Sequence, residues 1–205
     1  MKKKLFALAV LAICSAIAAS STLAYFTAEG TAHNVITTGG VGIEIVEKHD
    51  HDGDATTALV DFPENGVSGV MPGASVSKIV SVKNNGASEA WIRAKVDMNI
   101  YKAGSDTEVL PTTVITLDVN NEKWVYNEAD KYYYYKESVP VYNEKTGAGV
   151  TDTLFENVHF AKEMGNEYQG CKILIDVSAQ AVQTDNNPIP AGGNVTDIKG
   201  WPETT

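Results

Sequence analysis

Apolar and polar residues alternate with a period of two along much of this chain, which is the pattern of β-strands buried on one face. The run from Ala90 to Tyr101 shows it most clearly, and the run from Cys171 to Val182 repeats it. The apolar positions of the second run are Cys171, Ile173, Ile175, Val177, Ala179 and Ala181. Both runs predict long antiparallel strands with one face in a core.

Shorter runs with the same alternation are separated by residues that favour turns. The turn segments are Pro72-Gly73, Asn84-Asn85-Gly86, Asn120-Asn121 and Gly147-Ala148-Gly149, and residues 128–131 predict a hairpin. The shorter strand candidates are Val41–Glu47, Ala58–Phe62, Val76–Lys83, Thr113–Val119, Lys123–Tyr126, Tyr132–Lys136 and Thr153–Phe160. Many short strands with frequent turns predict an all-β fold, an antiparallel β-sandwich of the jelly-roll type.

The N-terminus has a different pattern. Residues 2–4 are lysines, and an apolar run from Leu5 to Ala19 follows. The small residues Thr22 and Ala24 then predict an export signal that is cleaved before Tyr25. No second long apolar run exists, so we expect no membrane span after cleavage.

These patterns divide the chain into four parts. We expect a signal peptide (1–24), an N-terminal extended segment (25–40), a β-sandwich domain (41–183) and a C-terminal tail (184–205). The tail is rich in Asn, Pro and Gly, which predicts an extended or loosely packed segment.

The charge argues against two classes of binding partner, and the cysteine content argues against a disulfide. The net charge of −10 argues against binding to nucleic acid or to an anionic membrane surface. Cys14 lies within the predicted signal, so Cys171 is the only cysteine of the mature chain and no intrachain disulfide is expected. We interpret Cys171 as a buried small hydrophobe.

The densest group of metal-ligand residues is an acidic loop. Asp50, Asp52 and Asp54 alternate as in the opening of a calcium loop, and Asp61 falls at the position of the last ligand. However, Ala55 stands where such a loop needs Gly, and Glu is usual at the last position. A solvated acidic loop without metal is therefore the alternative to weak calcium binding, and no other cofactor is indicated.

The motifs of common enzymes are missing from the sequence. The histidines are His33, His49, His51 and His159, and they do not form the His-Glu-x-x-His pattern of zinc proteases. There is also no Gly-x-Ser-x-Gly elbow, phosphate-binding glycine loop or Cys-x-x-Cys pair. We expect no enzymatic activity.

Four consecutive tyrosines, Tyr132–Tyr135, leave two interpretations open. Strand alternation places two of the rings inward and two outward. The outward pair predicts either a stacking platform for sugars or ordinary cross-strand packing.

Several segments together resemble a known family. The lysine-rich signal that ends in Thr-Leu-Ala-Tyr-Phe-Thr, followed by the GGVGIEIVE segment, is similar to exported proteins processed by a SipW-type signal peptidase, which include the TasA and camelysin-like proteins. The block from Val70 to Gly86, with its Pro-Gly and Asn-Asn-Gly turns, also resembles that family. So does the ILIDVSAQAVQ strand after Tyr168-Gln169-Gly170.

The resemblance implies a secreted jelly-roll protein of a Gram-positive cell surface or biofilm matrix. TasA-like subunits assemble into fibres by lending an N-terminal strand to a neighbour, so the implied partners are signal peptidase during export and then further copies or a related matrix subunit. Camelysin-like members have been described as metalloproteases, but no zinc motif accompanies the resemblance here.

We therefore predict that the mature N-terminal segment, residues 25–38, adds to a sheet edge, with Phe26, Val35 and Ile36 as its anchors. The competing interpretation is that this segment is the first strand of its own sandwich. A cell-surface module that binds glycan or protein, and a camelysin-like metallopeptidase, are the alternatives from other functional classes.

Overall fold

The computed structural model describes residues 28–29, 34–37, 40–50, 58–63 and 66–202. Thr22, Ala24, Tyr25 and Phe26, which the sequence singles out for cleavage and anchoring, lie outside these ranges. The fold is an all-β sandwich of two packed sheets, as predicted from the alternation. The finer expectation of a jelly roll stays a prediction.

The strands follow the runs of the sequence closely. They are β1 (Ala28–Glu29), β2 (Asn34–Thr37), β3 (Ile43–His49), β4 (Val60–Asp61), β5 (Ser75–Asn84), β6 (Ala90–Tyr101), β7 (Val109–Leu110), β8 (Ile115–Leu117), β9 (Trp124–Asn127), β10 (Tyr132–Tyr135), β11 (Phe155–Phe160) and β12 (Lys172–Gln183). Short 3-10 turns lie at Thr112–Val114, Asn166–Tyr168 and Val195–Asp197.

The first sheet has the order β1-β12-β6-β10-β9, with β2 also paired to β12 and β7 to β6. The second sheet has the order β4-β3-β5-β11-β8. The predicted hairpin at residues 128–131 joins β9 to β10, and Lys131 has a φ of +66° in its turn.

The core lies between the two sheets. Most inward positions of β6 and β12 are buried against apolar residues of β5 and β11, and Val96 and Met98 are partly buried there. Representative members of this core are Ile92, Ala94, Ile173, Ile175, Val80, Val82, Phe155 and Val158. Cys171 is buried and unpaired within the same cluster, which is consistent with its interpretation as a small hydrophobe.

The prediction of an extended or loosely packed C-terminal tail is wrong for residues 195–202, whereas residues 188–194 are exposed. Val195 and Ile198 are buried in a second apolar cluster, which includes Tyr132, Tyr134 and Val182 of the first sheet. The indole N–H of Trp91 also donates to the carbonyl of Asn187, at 2.9 Å. Tertiary packing overrides the local composition because the outer face of the first sheet is apolar enough to hold the tail.

Candidate functional site

Strand β12 has two very different edges. On one side it pairs antiparallel with β6 along its whole length, from Lys172 opposite Tyr101 to Gln183 opposite Ala90. A strand bonded on one side still presents a row of backbone N–H and C=O groups on the other. What covers that second edge therefore decides whether β12 is available for pairing with another chain.

The N-terminal segment covers this second edge. Ala28 and Glu29 of β1 pair with Ile173 and Leu174. The four residues of β2, Asn34–Thr37, pair with Ser178 to Ala181. In this structure the segment thus belongs to its own sandwich, and the same pairing is available, in principle, to the segment of another copy.

The pairing of β1 and β2 with β12 is parallel, whereas every other named strand pair in the described residues is antiparallel. Antiparallel neighbours are usually joined by short turns, whereas parallel neighbours are joined by long connections. Here the connection is the entire domain, since the first and last strands are neighbours. The segment can therefore leave β12 without unthreading any loop.

The fixed part of the domain begins directly after this segment. Gly40 has a φ of +66°, which favours glycine, and its carbonyl accepts a 3.0 Å hydrogen bond from the backbone just after the Asn-Asn-Gly turn. A Cβ on Gly86 would lie 2.3 Å from the nitrogen of Gly42. The buried Asn84 side chain secures this turn by donating to two backbone carbonyls. The Asn84-Asn85-Gly86 turn thus fixes the backbone at Gly40, where the N-terminal segment joins the domain.

The predicted anchors Val35 and Ile36 have different neighbours. Val35 pairs with Ala179, which is fully buried on the core face of β12. Ile36 pairs with Gln180, which lies on the outer face. Because successive residues of a strand face opposite sides of the sheet, the two positions are not equivalent.

A buried arginine cluster occupies the outer face of the first sheet, and sequence reasoning missed it. Arg93 is only 8% exposed. Its Nε and Nη2 both donate to Gln180 Oε1, at 2.9 and 2.7 Å, and its Nη1 donates to Tyr134 Oη at 2.8 Å. The guanidinium also stacks 4.0 Å from the ring of Tyr132 and 4.6 Å from that of Trp201. The alternation of the Ala90–Tyr101 run places Arg93 on the face opposite the core, and no local signal shows that the distant tail covers it.

The tyrosine run alternates as predicted, but its outer pair is not available for sugars. Tyr132 and Tyr134 are 5% and 2% exposed because the C-terminal tail covers them. Tyr135 packs on the core side, where burial and a hydrogen bond to Asp152 raise its pKa to about 12. Tyr133 stacks on the more exposed Tyr126, with ring centroids 4.7 Å apart.

The second sheet contains a buried ion pair. Lys78 is 1% exposed and its Nζ lies 2.6 Å from Glu47 Oε2, with the ring of Phe62 4.1 Å from the same nitrogen. Burial lowers the pKa of Lys78 against the opposing effect of Glu47. The sequence does carry a signal for this residue, because Lys78 falls in phase with the core positions Val80 and Val82.

The structure describes part of the acidic loop. Asp61 is paired with Lys48, whose Nζ lies 2.5 Å from Asp61 Oδ1. Asp50 is described at the end of β3, where its backbone N–H donates to Ser77 Oγ, whereas Asp52 and Asp54 lie outside the described residues. Among the described residues no three His, Cys, Asp or Glu side chains are grouped to hold a metal ion. Calcium binding stays a prediction.

Of the histidines, His49 and His159 are described. His49 packs edge-on against Phe62, and His159 Nδ1 lies 2.7 Å from Ser75 Oγ. His33 and His51 lie outside the described residues.

Within the described part of the chain, no helix is long and apolar enough to cross a membrane. No known protein family, no curated protein and no solved structure matches this chain. The edge of β12 that pairs with the N-terminal segment is the main candidate for a functional surface among the described residues.

Proposed function

We propose that this chain is a secreted structural protein of a bacterial cell surface or biofilm matrix, a fibre subunit that assembles by strand donation. In this proposal the jelly-roll-type domain presents the outer edge of β12, and residues 25–38 of one copy fill that edge on the next. The observation that carries the proposal is the parallel pairing of β1 and β2 with β12.

Three features of the described residues support exchange of this segment. The segment has one connection to the domain, at Gly40, so it can leave without a topological barrier. We expect the domain to keep its core without the segment, because the core cluster includes residues of β5, β6, β11 and β12 from both sheets. Strand addition also satisfies backbone groups that would otherwise remain unpaired at an open edge.

In this proposal each subunit gives its segment to one neighbour and accepts the segment of another, which makes the contact head-to-tail. A head-to-tail contact propagates into a filament unless rotation closes a ring. The acidic composition keeps the free subunit soluble until pairing occurs.

Electron microscopy of purified protein tests the proposal. We expect the mature chain, starting at Tyr25, to form regular filaments, and a chain starting at Gly39 to remain a folded monomer. A synthetic peptide of residues 25–38 should bind the truncated chain, and a scrambled peptide of the same composition should not. A mature chain that stays monomeric at high concentration, together with a peptide that does not bind, would contradict the proposal.

A second candidate is a binding module for glycan, and the Tyr126–Tyr133 ring pair favours it. Tyr126 is 38% exposed and lies on the β9–β10 hairpin, so its ring can stack on a sugar. Glycan-array binding that is lost in Tyr126→Ala, with filaments unaffected, would support this function instead. Tyr134→Phe serves as the control because that ring is buried.

A further inference from the structure

Two lysine–glutamate contacts join the same pair of neighbouring strands, β3 and β5, and they differ in burial. Lys83 Nζ lies 2.6 Å from Glu44 Oε2, and these two side chains are 25% and 51% exposed. Lys78 Nζ lies 2.6 Å from Glu47 Oε2, and these two side chains are 1% and 12% exposed. The second sheet therefore holds one such contact at its surface and one in the interior, with the same distance between the charged atoms.

The environment of each contact acts differently on its lysine. The hydrogen bond to Glu44 raises the pKa of Lys83, so this lysine keeps its charge at the surface. Burial lowers the pKa of Lys78, against the opposing effects of the Glu47 and Asp176 carboxylates. In a site of low dielectric, charged groups tend to neutralise, here by transfer of a proton from the ammonium to the carboxylate. The buried contact therefore favours a neutral amine beside a neutral carboxyl group.

Hydrogen bonding leaves the buried contact incomplete. Among the described residues, neither Lys78 Nζ nor Glu47 Oε1 has a hydrogen-bond partner, although the amine touches the other carboxyl oxygen. A buried ion pair offsets its desolvation only when its geometry is good and its remaining polar atoms are hydrogen-bonded. The ring of Phe62, 4.1 Å from Lys78 Nζ, is a weak substitute for those bonds. An amide made from the same two groups carries no charge and leaves fewer polar atoms to satisfy.

We propose that Lys78 and Glu47 condense into an amide, an isopeptide bond that joins β5 to β3 within one subunit. The lone pair of the neutral amine attacks Cδ of Glu47, and the bond from Cδ to one carboxyl oxygen breaks. That oxygen leaves as water, with one proton from the carboxyl group and one from the amine, so no oxidant or other co-reactant is needed. Well-oriented groups of one molecule reach effective concentrations of about 10⁵–10⁸ M, which favours the amide where water is excluded.

The position of the bond gives it a mechanical consequence. β3 is the strand that follows the N-terminal segment, and β5 is its neighbour in the second sheet. Tension applied through that segment enters the domain at β3, and an amide to β5 carries it through a covalent bond. The inference goes beyond the proposed function and does not depend on strand donation, because β3 and β5 pair within one subunit.

The mass of the intact protein tests the proposal. We expect the purified mature chain, measured by mass spectrometry under denaturing conditions, to be lighter than its sequence requires by about 18 Da, the mass of one water. After proteolytic digestion, one branched peptide should contain both Lys78 and Glu47. A chain with its full sequence mass, from which separate peptides of Lys78 and Glu47 are recovered, would overturn the proposal.

Substitutions on the same two strands identify the groups that react. Lys78→Met and Glu47→Ala should each have the full mass of their sequences, and this readout needs no folded protein because the chain is denatured for measurement. Lys83→Met is the matched control and should keep the loss of about 18 Da, since the Lys83–Glu44 contact is exposed. A loss that persists in Lys78→Met or Glu47→Ala, or that disappears in Lys83→Met, would assign the dehydration to other groups and overturn the proposal.

Discussion

The two neighbours of β12 differ in how firmly they are built into the molecule. β6 pairs antiparallel with β12 from Lys172 to Gln183, and the inward residues of both strands form the core. The N-terminal segment pairs in parallel through two short strands, Ala28–Glu29 and Asn34–Thr37. One edge of the same strand is therefore part of the fold, whereas the other edge is a site that a separable segment occupies.

The largest expected effect comes from breaking the core side of β12. Ile175→Asp places a carboxylate in a fully buried position, and we expect a loss of more than about 4 kcal/mol in the free energy of unfolding, enough to abolish folding. Removal of residues 25–38 should leave a cooperatively folding domain. Circular dichroism during thermal unfolding compares the two, and an unfolded truncated chain would show that both edges are part of the fold.

The second-largest loss of stability is expected from removing the hydrogen bonds between Arg93 of β6 and Gln180 of β12 on the outer face of the sheet. Arg93→Ala leaves Gln180 Oε1 without its guanidinium donor, removes the 3.0 Å ion pair with Asp130, and removes the stack on Tyr132 and Trp201. We expect a loss of about 2–4 kcal/mol in the free energy of unfolding, measured by urea denaturation. Lys95→Ala, a half-exposed neighbour on the same face, should change it by less than about 0.5 kcal/mol. If Arg93→Ala and Lys95→Ala lowered the free energy of unfolding by the same amount, the Arg93 cluster would contribute no more than an ordinary surface contact.

Substitutions within β2 should act on the exchangeable edge alone. Val35 pairs with a core-face residue and Ile36 with an outer-face residue, so Val35→Asp should weaken binding of the 25–38 peptide to the truncated chain by at least tenfold. Ile36→Asp should weaken it by less than about threefold, since its paired residue Gln180 is hydrogen-bonded to the Arg93 guanidinium, whose positive charge offsets that of a carboxylate. Isothermal titration calorimetry measures both. Equal effects would mean that the segment shifts its register on binding.

The smallest effect is confined to alkaline pH. The pKa of Tyr135 is raised to about 12 by burial and by its hydrogen bond to Asp152, whereas an unfolded tyrosine has a pKa near 10. Between these values the folded state holds the proton more firmly, so this contribution is fully present below pH 10 and is lost as the pH rises towards 12. Tyr135→Phe should flatten the decline of the melting temperature in this window.

The same alkaline decline should appear with and without residues 25–38, because Tyr135 lies on β10, away from the exchangeable edge. Melting curves of the full-length mature chain and the truncated chain between pH 9 and 12 check this. A decline that disappears on truncation would couple the segment to the far side of the sheet and would weaken the contrast between the two edges.

Much of the architecture was predictable because alternation is a local property. The sequence runs at Ala90–Tyr101 and Cys171–Val182 showed their buried faces directly, and the turn at Asn84-Asn85-Gly86 carried its own conformational signal. The cover over Arg93 and Tyr134 was not predictable, since it comes from Trp201 and the tail, far along the chain. Lys78 was predictable in part. Its position in the alternation placed it with the core residues of its strand, but nothing in the sequence identified Glu47 as its partner.

By itself, the sequence determined that this is an all-β chain, which residues of each long strand enter the core, and where an export signal is predicted to end. These properties depend on residues close together in the chain, where side-chain periodicity and turn chemistry act. The tertiary structure alone decided that the first strands lie parallel to the last one, and that the tail closes over the arginine cluster. Pairing partners depend on which distant edges and faces meet once the core has formed, and a local pattern carries no information about that choice.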